Sequence, residues 1–286
     1  MHRKLSCCLA AALLLALPTG CGDSSAVQTN SPAPESTPAE TAPVLATPEP
    51  APTPTPEPTP SPLPWPVYEF GVPVEESDPV EDDSFFDNAV FLGDSRTEGL
   101  ELFGGIKHGT YYWARGMTVF RVDDEKYKIV SIDDEDYTVI GALGLRSFDA
   151  VYIMIGVNEL GYPAESYEAG LAELVDKVIE AQPEAVVYLQ IMPPLNDDLC
   201  RANGLASYIN NDNLQTFNEA IRRVATEKKV ALLNTAEVYT GEDGQLPAEL
   251  ANDGCHFAYR AYSLWADYLR SHVIDRERYF YSREQA

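Results

Sequence analysis

The chain has 286 residues, enough for one large domain or two small ones. Its 45 acidic and 20 basic residues give a formal net charge of −25. A surface this acidic repels phosphates, which excludes nucleic acid as a partner.

The N-terminus has the organisation of an export signal. A short basic region precedes the apolar run Leu9–Leu17, which is too short to cross a bilayer as a permanent helix. The run leads to Gly20 and Cys21 and resembles a bacterial lipoprotein signal, although Pro18 stands where that pattern usually has Leu. The resemblance implies a signal peptide at residues 1–20 and a lipid on Cys21, which anchors the protein to the cell membrane outside the cytoplasm. Simple secretion is the alternative.

Proline dominates the following segment. Between Pro32 and Pro66 lie 14 of the chain's 22 prolines, among Ala, Thr, Glu and Ser. Proline fixes φ and removes amide donors, so this segment cannot form a sheet ladder or bury a core. We predict a disordered, extended tether over residues 21–66 and a globular domain over residues 67–286.

Five short apolar runs in the globular domain predict buried strands. They are rich in β-branched and aromatic residues and mostly lack polar alternation, which is typical of a parallel sheet covered on both faces. The runs begin at Asn88, Thr110, Asp149, Ala185 and Val230.

Helical periods separate the later strands. Apolar residues recur at helical spacing in residues 166–182 and 213–229, and a last helix is predicted over residues 261–274. The alternation predicts an α/β fold, a three-layer α/β/α sandwich around a central, mostly parallel five-stranded sheet. The acidic run 122–137 lacks the spaced ligands of a calcium loop and is interpreted as a solvated face.

The first predicted strand ends in Gly93-Asp94-Ser95, at the sheet edge where such folds bind ligands. A serine in this position can cap the following helix or can act as a nucleophile. The Gly-x-Ser-x-Gly elbow of α/β-hydrolases is absent. The choice between the two roles therefore depends on whether the chain supplies a base.

Three histidines lie outside the predicted signal. His108 has no acid close in sequence, and His272 lies near the end of the last helix. Asp253 stands three residues before His256, just ahead of that helix. This spacing can place a carboxylate beside the imidazole and direct its other nitrogen toward a nucleophile. An aspartate cap beside a surface histidine is the alternative.

The chain also offers donors for an oxyanion. Gly156 and Asn158 follow the third strand, and Gly116 follows the second, all at the same sheet edge. An asparagine amide can donate to developing negative charge, and glycine lets the backbone approach closely. Other glycines near the second strand are Gly104, Gly105 and Gly109.

Taken in order along the chain, these blocks resemble the SGNH (GDSL-type) hydrolase family. The blocks are Gly93-Asp94-Ser95, Gly116, Gly156-x-Asn158 and Asp253-x-x-His256. The resemblance covers nearly the whole globular domain and implies a flavodoxin-like α/β fold.

The resemblance also assigns roles. It implies that Ser95 is the nucleophile, His256 the general base and Asp253 the acid that orients the histidine. The amides of Ser95 and Gly116 and the side chain of Asn158 would form the oxyanion hole. No metal and no organic cofactor are implied.

Two positions depart from residues frequent in the family. Arg96 follows Ser95 where many members have Leu, and Glu159 follows Asn158 where Asp is frequent. Since neither position carries the chemistry, these departures bear on subfamily and substrate rather than on mechanism.

The expected reaction is ester hydrolysis through a serine ester. The family includes lipases, thioesterases and carbohydrate esterases, and a tethered domain outside the cytoplasm can reach cell-wall or extracellular glycans. We therefore expect an O-deacetylase acting on an acetylated carbohydrate. An O-acyltransferase with the same triad and a non-catalytic carbohydrate-binding module are the alternatives.

Two cysteines, Cys200 and Cys255, lie in the globular domain. The loops that contain Cys200 and Cys255 are both expected at the sheet edge that carries the site. A disulfide between the two cysteines would make the site more rigid. Two unpaired cysteines are the alternative.

Overall fold

The computed structural model describes residues 65–286. The predicted signal peptide 1–20, the lipidation site Cys21 and the predicted tether up to residue 64 lie outside the described residues. Within residues 65–286, no helix combines the length and apolar character needed to cross a membrane.

A five-stranded parallel sheet forms the centre of the fold. Its strands are β1 Ala89–Gly93, β2 Thr110–Trp113, β5 Ala150–Met154, β6 Val186–Gln190 and β7 Ala231–Leu233. They lie in the order β2-β1-β5-β6-β7. The intervening β3 Val130–Ile132 and β4 Glu135–Tyr137 form a separate hairpin. The sheet register pairs Gly93 with Trp113 on one side and Met154 on the other, so the carboxyl ends of these strands are level.

Helices cover both faces of the sheet, which confirms the three-layer α/β/α architecture. The α-helices are α1 Ser95–Phe103, α2 Val139–Leu143, α3 Ala164–Ala181, α4 Asp197–Ala202, α5 Asn211–Lys228, α6 Tyr262–Ser271 and α7 Arg276–Gln285. Single 3-10 turns lie at Asp83–Phe86, Val157–Glu159, Thr235–Val238 and Tyr259–Ala261.

Alternate strand residues supply two separate cores. Val90 and Leu92 of β1 pack with α3 and α5, whereas Phe91 between them packs on the opposite face with α1 and α6. Side chains of successive strand residues point to opposite faces, so a fully buried strand is apolar at every position. This explains the continuous apolar runs in the sequence.

A stack of aromatic rings crosses the sheet on the α1 and α6 face. Phe91 lies between Tyr111 and Tyr152 with centroid distances of 4.7 and 4.9 Å, and Tyr152 stacks on Tyr188 at 4.6 Å. These residues are register partners on neighbouring strands. Offset-stacked rings contribute about 0.5–1.5 kcal/mol per pair beyond their burial, so the stack stabilises this strand register.

The acidic run 122–137 contains the β3–β4 hairpin, which the sequence interpretation missed. Asp133 and Asp134 form its two-residue turn, with φ values of 52° and 66°. Two positive φ values define a type I′ turn, which favours Asn and Gly. The pair Asp133-Asp134 is not the usual sequence of such a turn, so the hairpin was not predicted, although aspartate tolerates this conformation.

The segment before β1 pairs with β7 at the edge of the sheet, and α7 is hydrogen-bonded to that segment. Val74 N donates to Leu232 O at 2.8 Å, and Tyr68 N donates to Ser282 Oγ of α7 at 2.8 Å. Residues from Tyr68 onward are thus hydrogen-bonded into the domain. The extent of the tether and the domain boundary at residue 67 stay predictions.

Candidate active site

Ser95 is the first residue of α1, and it is not the residue that caps the helix. Asp94 holds the cap position, where its carboxylate accepts a hydrogen bond from Arg96 N at 2.9 Å. The helix terminus is therefore satisfied without the serine. This leaves the half-buried Ser95 hydroxyl free for another partner.

That partner is His256. Ser95 Oγ lies 2.8 Å from His256 Nε2, and His256 Nδ1 lies 2.7 Å from Asp253 Oδ2. The three side chains form a continuous chain of hydrogen bonds, and each is partly exposed to solvent. This is the geometry of a nucleophile, a base and an orienting acid.

Several hydrogen bonds fix the Asp253 carboxylate. Its Oδ1 accepts from the amides of His256 at 2.7 Å and Cys255 at 2.9 Å. Burial acts to raise the pKa of Asp253, but the hydrogen bonds from the His256 side chain and from these amides outweigh it and lower the pKa well below its usual range. Asp253 is therefore ionised at neutral pH and can hold the His256 Nδ1 proton.

Glycine is required at position 254 in the loop between the acid and the base. Gly254 has a φ of +98°, and a Cβ there would lie 2.5 Å from Cys200 N. The Gly254 carbonyl accepts from Asn196 N at 2.8 Å. The loop is thus packed tightly against the start of α4.

Hydrogen bonds of Asn158 connect the segments that carry the candidate oxyanion donors. Gly116 has a φ of +72° in a turn closed by a 3.0 Å bond from Met117 N to Ala114 O. The Ser95 amide lies at the helix N-terminus, where amides have no intrahelical acceptor. Asn158 Nδ2 donates to Met117 O at 3.0 Å and to Asp94 Oδ2 at 3.2 Å. Asn158 thereby links the Gly116 turn to the β1–α1 junction.

Asp94 and Glu159, which are next to Ser95 and Asn158 in sequence, are buried acids, and no sequence pattern predicted their burial. Burial raises the pKa of Asp94, and the Arg96 amide and charge offset this only in part. Glu159 is 0 % exposed; its Oε1 accepts from Val119 N at 2.7 Å, and its Oε2 has no partner among the described residues. Burial, reinforced by the neighbouring Asp94 charge, raises the pKa of Glu159 to about 8 despite that hydrogen bond. Glu159 is therefore mostly protonated at neutral pH.

An ion pair between Glu98 and Arg115 lies next to Gly116, and it was not predicted from the sequence. Glu98 of α1 accepts two hydrogen bonds from Arg115, at 2.6 and 2.7 Å. The Arg115 hydrogen bond lowers the pKa of Glu98, so its carboxylate is ionised. The pair ties α1 to the turn that carries Gly116, and Arg115 keeps 77 % of its side chain exposed.

The other two histidines lie apart from this constellation. His108 contacts Asp87 before β1, at the amino ends of the strands. His272 is buried, with its ring stacked on Tyr268 and its Nδ1 2.9 Å from the Tyr268 carbonyl. Within residues 65–286, no group of three or more metal-binding side chains converges on a common point.

Cys200 and Cys255 are both buried free thiols in the structure. Burial raises the pKa of the Cys200 thiol to about 11, and it also raises that of Cys255. The two loops lie together, as expected, since a Cβ on Gly254 would be 2.8 Å from Cys200 Sγ. The disulfide is not formed here and stays a prediction, which mass spectrometry of the unreduced protein tests.

The fold resembles those of several solved structures. A proposed platelet activating factor from Streptococcus pneumonia is 22 % identical, with a TM-score of 0.51 over 64 % of this chain and 81 % of that one. A GDSL-like lipase from Bacteroides thetaiotaomicron is 16 % identical, with a TM-score of 0.49 over 66 % and 89 % of the two chains. At these identities the likeness concerns the fold alone.

No curated protein compared with the chain matches it. The model of the GDSL-like lipase/acylhydrolase family, in contrast, matches residues 91–264. This match covers more than half of the chain and includes every candidate site residue from Ser95 to His256. The family match identifies a serine ester hydrolase. The chain belongs to the GDSL-like lipase/acylhydrolase family.

Proposed function

We propose that the protein hydrolyses esters with Ser95 as nucleophile, His256 as general base and Asp253 as the residue that orients His256. The observation that carries the proposal is the chain of contacts at 2.8 and 2.7 Å through these three side chains. A serine hydroxyl is a weak nucleophile by itself, and an adjacent base activates it.

In the first half-reaction, Ser95 Oγ attacks the ester carbonyl carbon and gives its proton to His256 Nε2. The carbonyl oxygen becomes an oxyanion, which the Ser95 and Gly116 amides and the Asn158 side chain stabilise. Collapse of this intermediate expels the alcohol, which takes the proton from His256.

In the second half-reaction, water attacks the acyl-serine and gives a proton to His256. The carboxylic acid leaves, and Ser95 recovers its proton. Asp253 stays ionised throughout and stabilises the imidazolium that forms in each half-reaction.

We further propose that the substrate is an O-acetylated carbohydrate. Exposed aromatic side chains close in sequence to two site residues support this class. Tyr162 follows Asn158 and packs on Phe120 at 5.3 Å, and Tyr259 follows His256 and packs on Phe103 at 6.4 Å. Rings exposed in this way can pack against the apolar faces of sugars.

Acetate release from O-acetylated polysaccharides tests the substrate class, with p-nitrophenyl esters of increasing chain length for comparison. Ser95→Ala should abolish release, whereas Ser131→Ala, at an exposed serine of the hairpin, should leave it unchanged. Preference for long-chain esters over acetylated glycans would contradict the carbohydrate assignment. Transfer of acetyl to an added acceptor sugar would identify an acyltransferase instead.

The location proposal rests on the sequence alone. Cys21 would carry the lipid, and residues 21–66 would hold the enzyme away from the membrane. Metabolic labelling with an alkyne fatty acid should mark the wild type and fail to mark Cys21→Ser. A wild-type protein that is released into the medium and unlabelled would favour simple secretion.

A further inference from the structure

Arg96 is buried in an unfavourable position for a cation. Arg96 lies in the first turn of α1 and is only 1 % exposed to solvent. The N-terminal turn of a helix carries partial positive charge, and burial removes the guanidinium from water. Leucine would avoid both costs. The attraction between Arg96 and the neighbouring buried Asp94 offsets them only in part, so the other contacts of the guanidinium are relevant to its role.

The contacts of the guanidinium indicate that role. Its Nε and one terminal nitrogen donate to the Cys255 carbonyl at 3.1 and 2.9 Å, and the other terminal nitrogen donates to the Pro193 carbonyl at 3.3 Å. The group also lies 5.1 Å from the centre of the Phe257 ring. Arg96 thus binds the backbone of the loop that contains Asp253 and His256.

The two residues joined by this contact, Arg96 and Cys255, are each adjacent in sequence to a reacting residue. Arg96 directly follows Ser95, and Cys255 directly precedes His256. The Cys255 amide, on the other side of the same residue, donates to Asp253 Oδ1 at 2.9 Å. The guanidinium therefore fixes the separation between the start of α1 and the loop, across which Ser95 meets His256.

We infer that Arg96 is a positioning residue that holds the Asp253–His256 loop in register with Ser95. This inference rests on the proposed function. Arg96 would then affect the reaction rate by positioning His256, whereas the sequence related this position only to subfamily and substrate. A fixed fork of N–H donors suits this task because it constrains direction as well as distance.

The test compares the full-length wild type with Arg96→Met, Arg96→Lys and Ser95→Ala. Methionine has similar length without donors, and lysine keeps the charge with less directional donors. Arg270→Met is the matched control, since Arg270 is a partly buried arginine that pairs with Asp83, ahead of β1 and away from the strand carboxyl ends. The readouts are thermal unfolding, kcat and KM for p-nitrophenyl acetate, and the rate of phosphonylation by a fluorophosphonate.

For Arg96→Met we expect kcat and the phosphonylation rate to fall together by about 10²-fold, the cost of misplacing a reacting group by about 1 Å. KM should stay within about twofold, because the loss concerns activation of Ser95 rather than binding. Arg96→Lys should restore part of kcat. Arg270→Met should change unfolding without changing the phosphonylation rate.

A folded Arg96→Met protein with wild-type kcat and phosphonylation rate would overturn the inference. So would an equal loss in Arg270→Met. If Arg96→Met does not fold, Arg96→Lys decides: a lower kcat at a wild-type unfolding temperature supports the role, and an unchanged kcat contradicts it. If Ser95→Ala stays as active as wild type, the proposed function fails instead.

Discussion

Asn158 Nδ2 donates to Asp94 Oδ2 across 3.2 Å, and the same nitrogen donates to Met117 O across 3.0 Å. Both protons of the amide are therefore engaged in the free enzyme. One of these two bonds must therefore lengthen for the Asn158 amide to donate to an oxyanion. The internal contacts aim the amide before substrate arrives, which removes the cost of orienting it during the reaction.

Replacing Asn158 with alanine should lower kcat by about 10²–10³-fold, the usual cost of one oxyanion donor. The variant should retain the serine's reaction geometry, because the Ser95–His256 contact does not involve Asn158. Steady-state kinetics on p-nitrophenyl acetate measure the effect. An unchanged kcat would remove Asn158 from the oxyanion hole.

Asp253→Asn should preserve the fold of the loop and lose activity. An asparagine oxygen can still accept from the amides of Cys255 and His256, but the amide nitrogen cannot hold the Nδ1 proton. The imidazole then adopts the wrong tautomer, and kcat should drop by about 10⁴-fold. The measurement is kcat beside a circular dichroism spectrum. A variant with native spectrum and near-wild-type kcat would show that Asp253 does not orient His256.

Glu159→Gln should flatten the dependence of stability on pH. The pKa of Glu159 rises from 4.5 to about 8 on folding, so the native state retains a proton that the unfolded state releases. Stability should therefore be highest below pH 4.5, as far as this group is concerned, and decline as pH rises to 8. Glutamine mimics the protonated acid and removes this decline, although Asp94, whose pKa is also raised, leaves part of it.

Urea unfolding of the wild type and Glu159→Gln at several pH values measures this effect. Glu173→Gln, at an exposed glutamate of α3, is the control and should follow the wild type. If the Glu159→Gln protein lost stability with pH as steeply as the wild type, Glu159 would not be protonated in the native state.

Glu98→Gln should weaken catalysis through the Gly116 turn. Glutamine cannot form the two charged contacts with Arg115, so the turn beside the oxyanion hole should become less restrained. Because the Arg115 side of the pair is exposed to solvent, we expect kcat to fall only about three- to tenfold. Glu168→Gln removes a similar two-contact pair with Arg223, on the α3 and α5 surface, and should leave kcat unchanged. If Glu98→Gln and Glu168→Gln changed kcat equally, the Glu98–Arg115 pair would have no specific effect on the oxyanion hole.

The sequence predicted the elements whose apolar pattern is strong. All five parallel strands and the long helices α3 and α5 lie where the pattern placed them, since both are buried along an entire face or stripe. α7 was not predicted: within Arg276–Gln285 only Tyr279 and Ser282 are buried, so the helix has almost no apolar period.

Residues brought together by the fold were harder to predict. Ser95, Asp253 and His256 could be found because each lies beside a strand or helix boundary in a recognisable block. The roles inferred for Arg96 and Glu159 depend on burial and on distant backbone partners, Cys255 and Val119, which no local pattern reveals. From the sequence, both positions bear only on subfamily and substrate, whereas in the structure both side chains contact segments that carry candidate site residues.

Reaction of the full-length protein with p-nitrophenyl acetate, followed by mass spectrometry of the quenched enzyme, shows whether Ser95 is the nucleophile. We predict steady release of p-nitrophenol by the wild type, an acetyl group on the peptide containing Ser95, and loss of both in Ser95→Ala. A Ser95→Ala protein that still hydrolyses the ester, or an acetyl group trapped on another residue, would contradict Ser95 as the nucleophile.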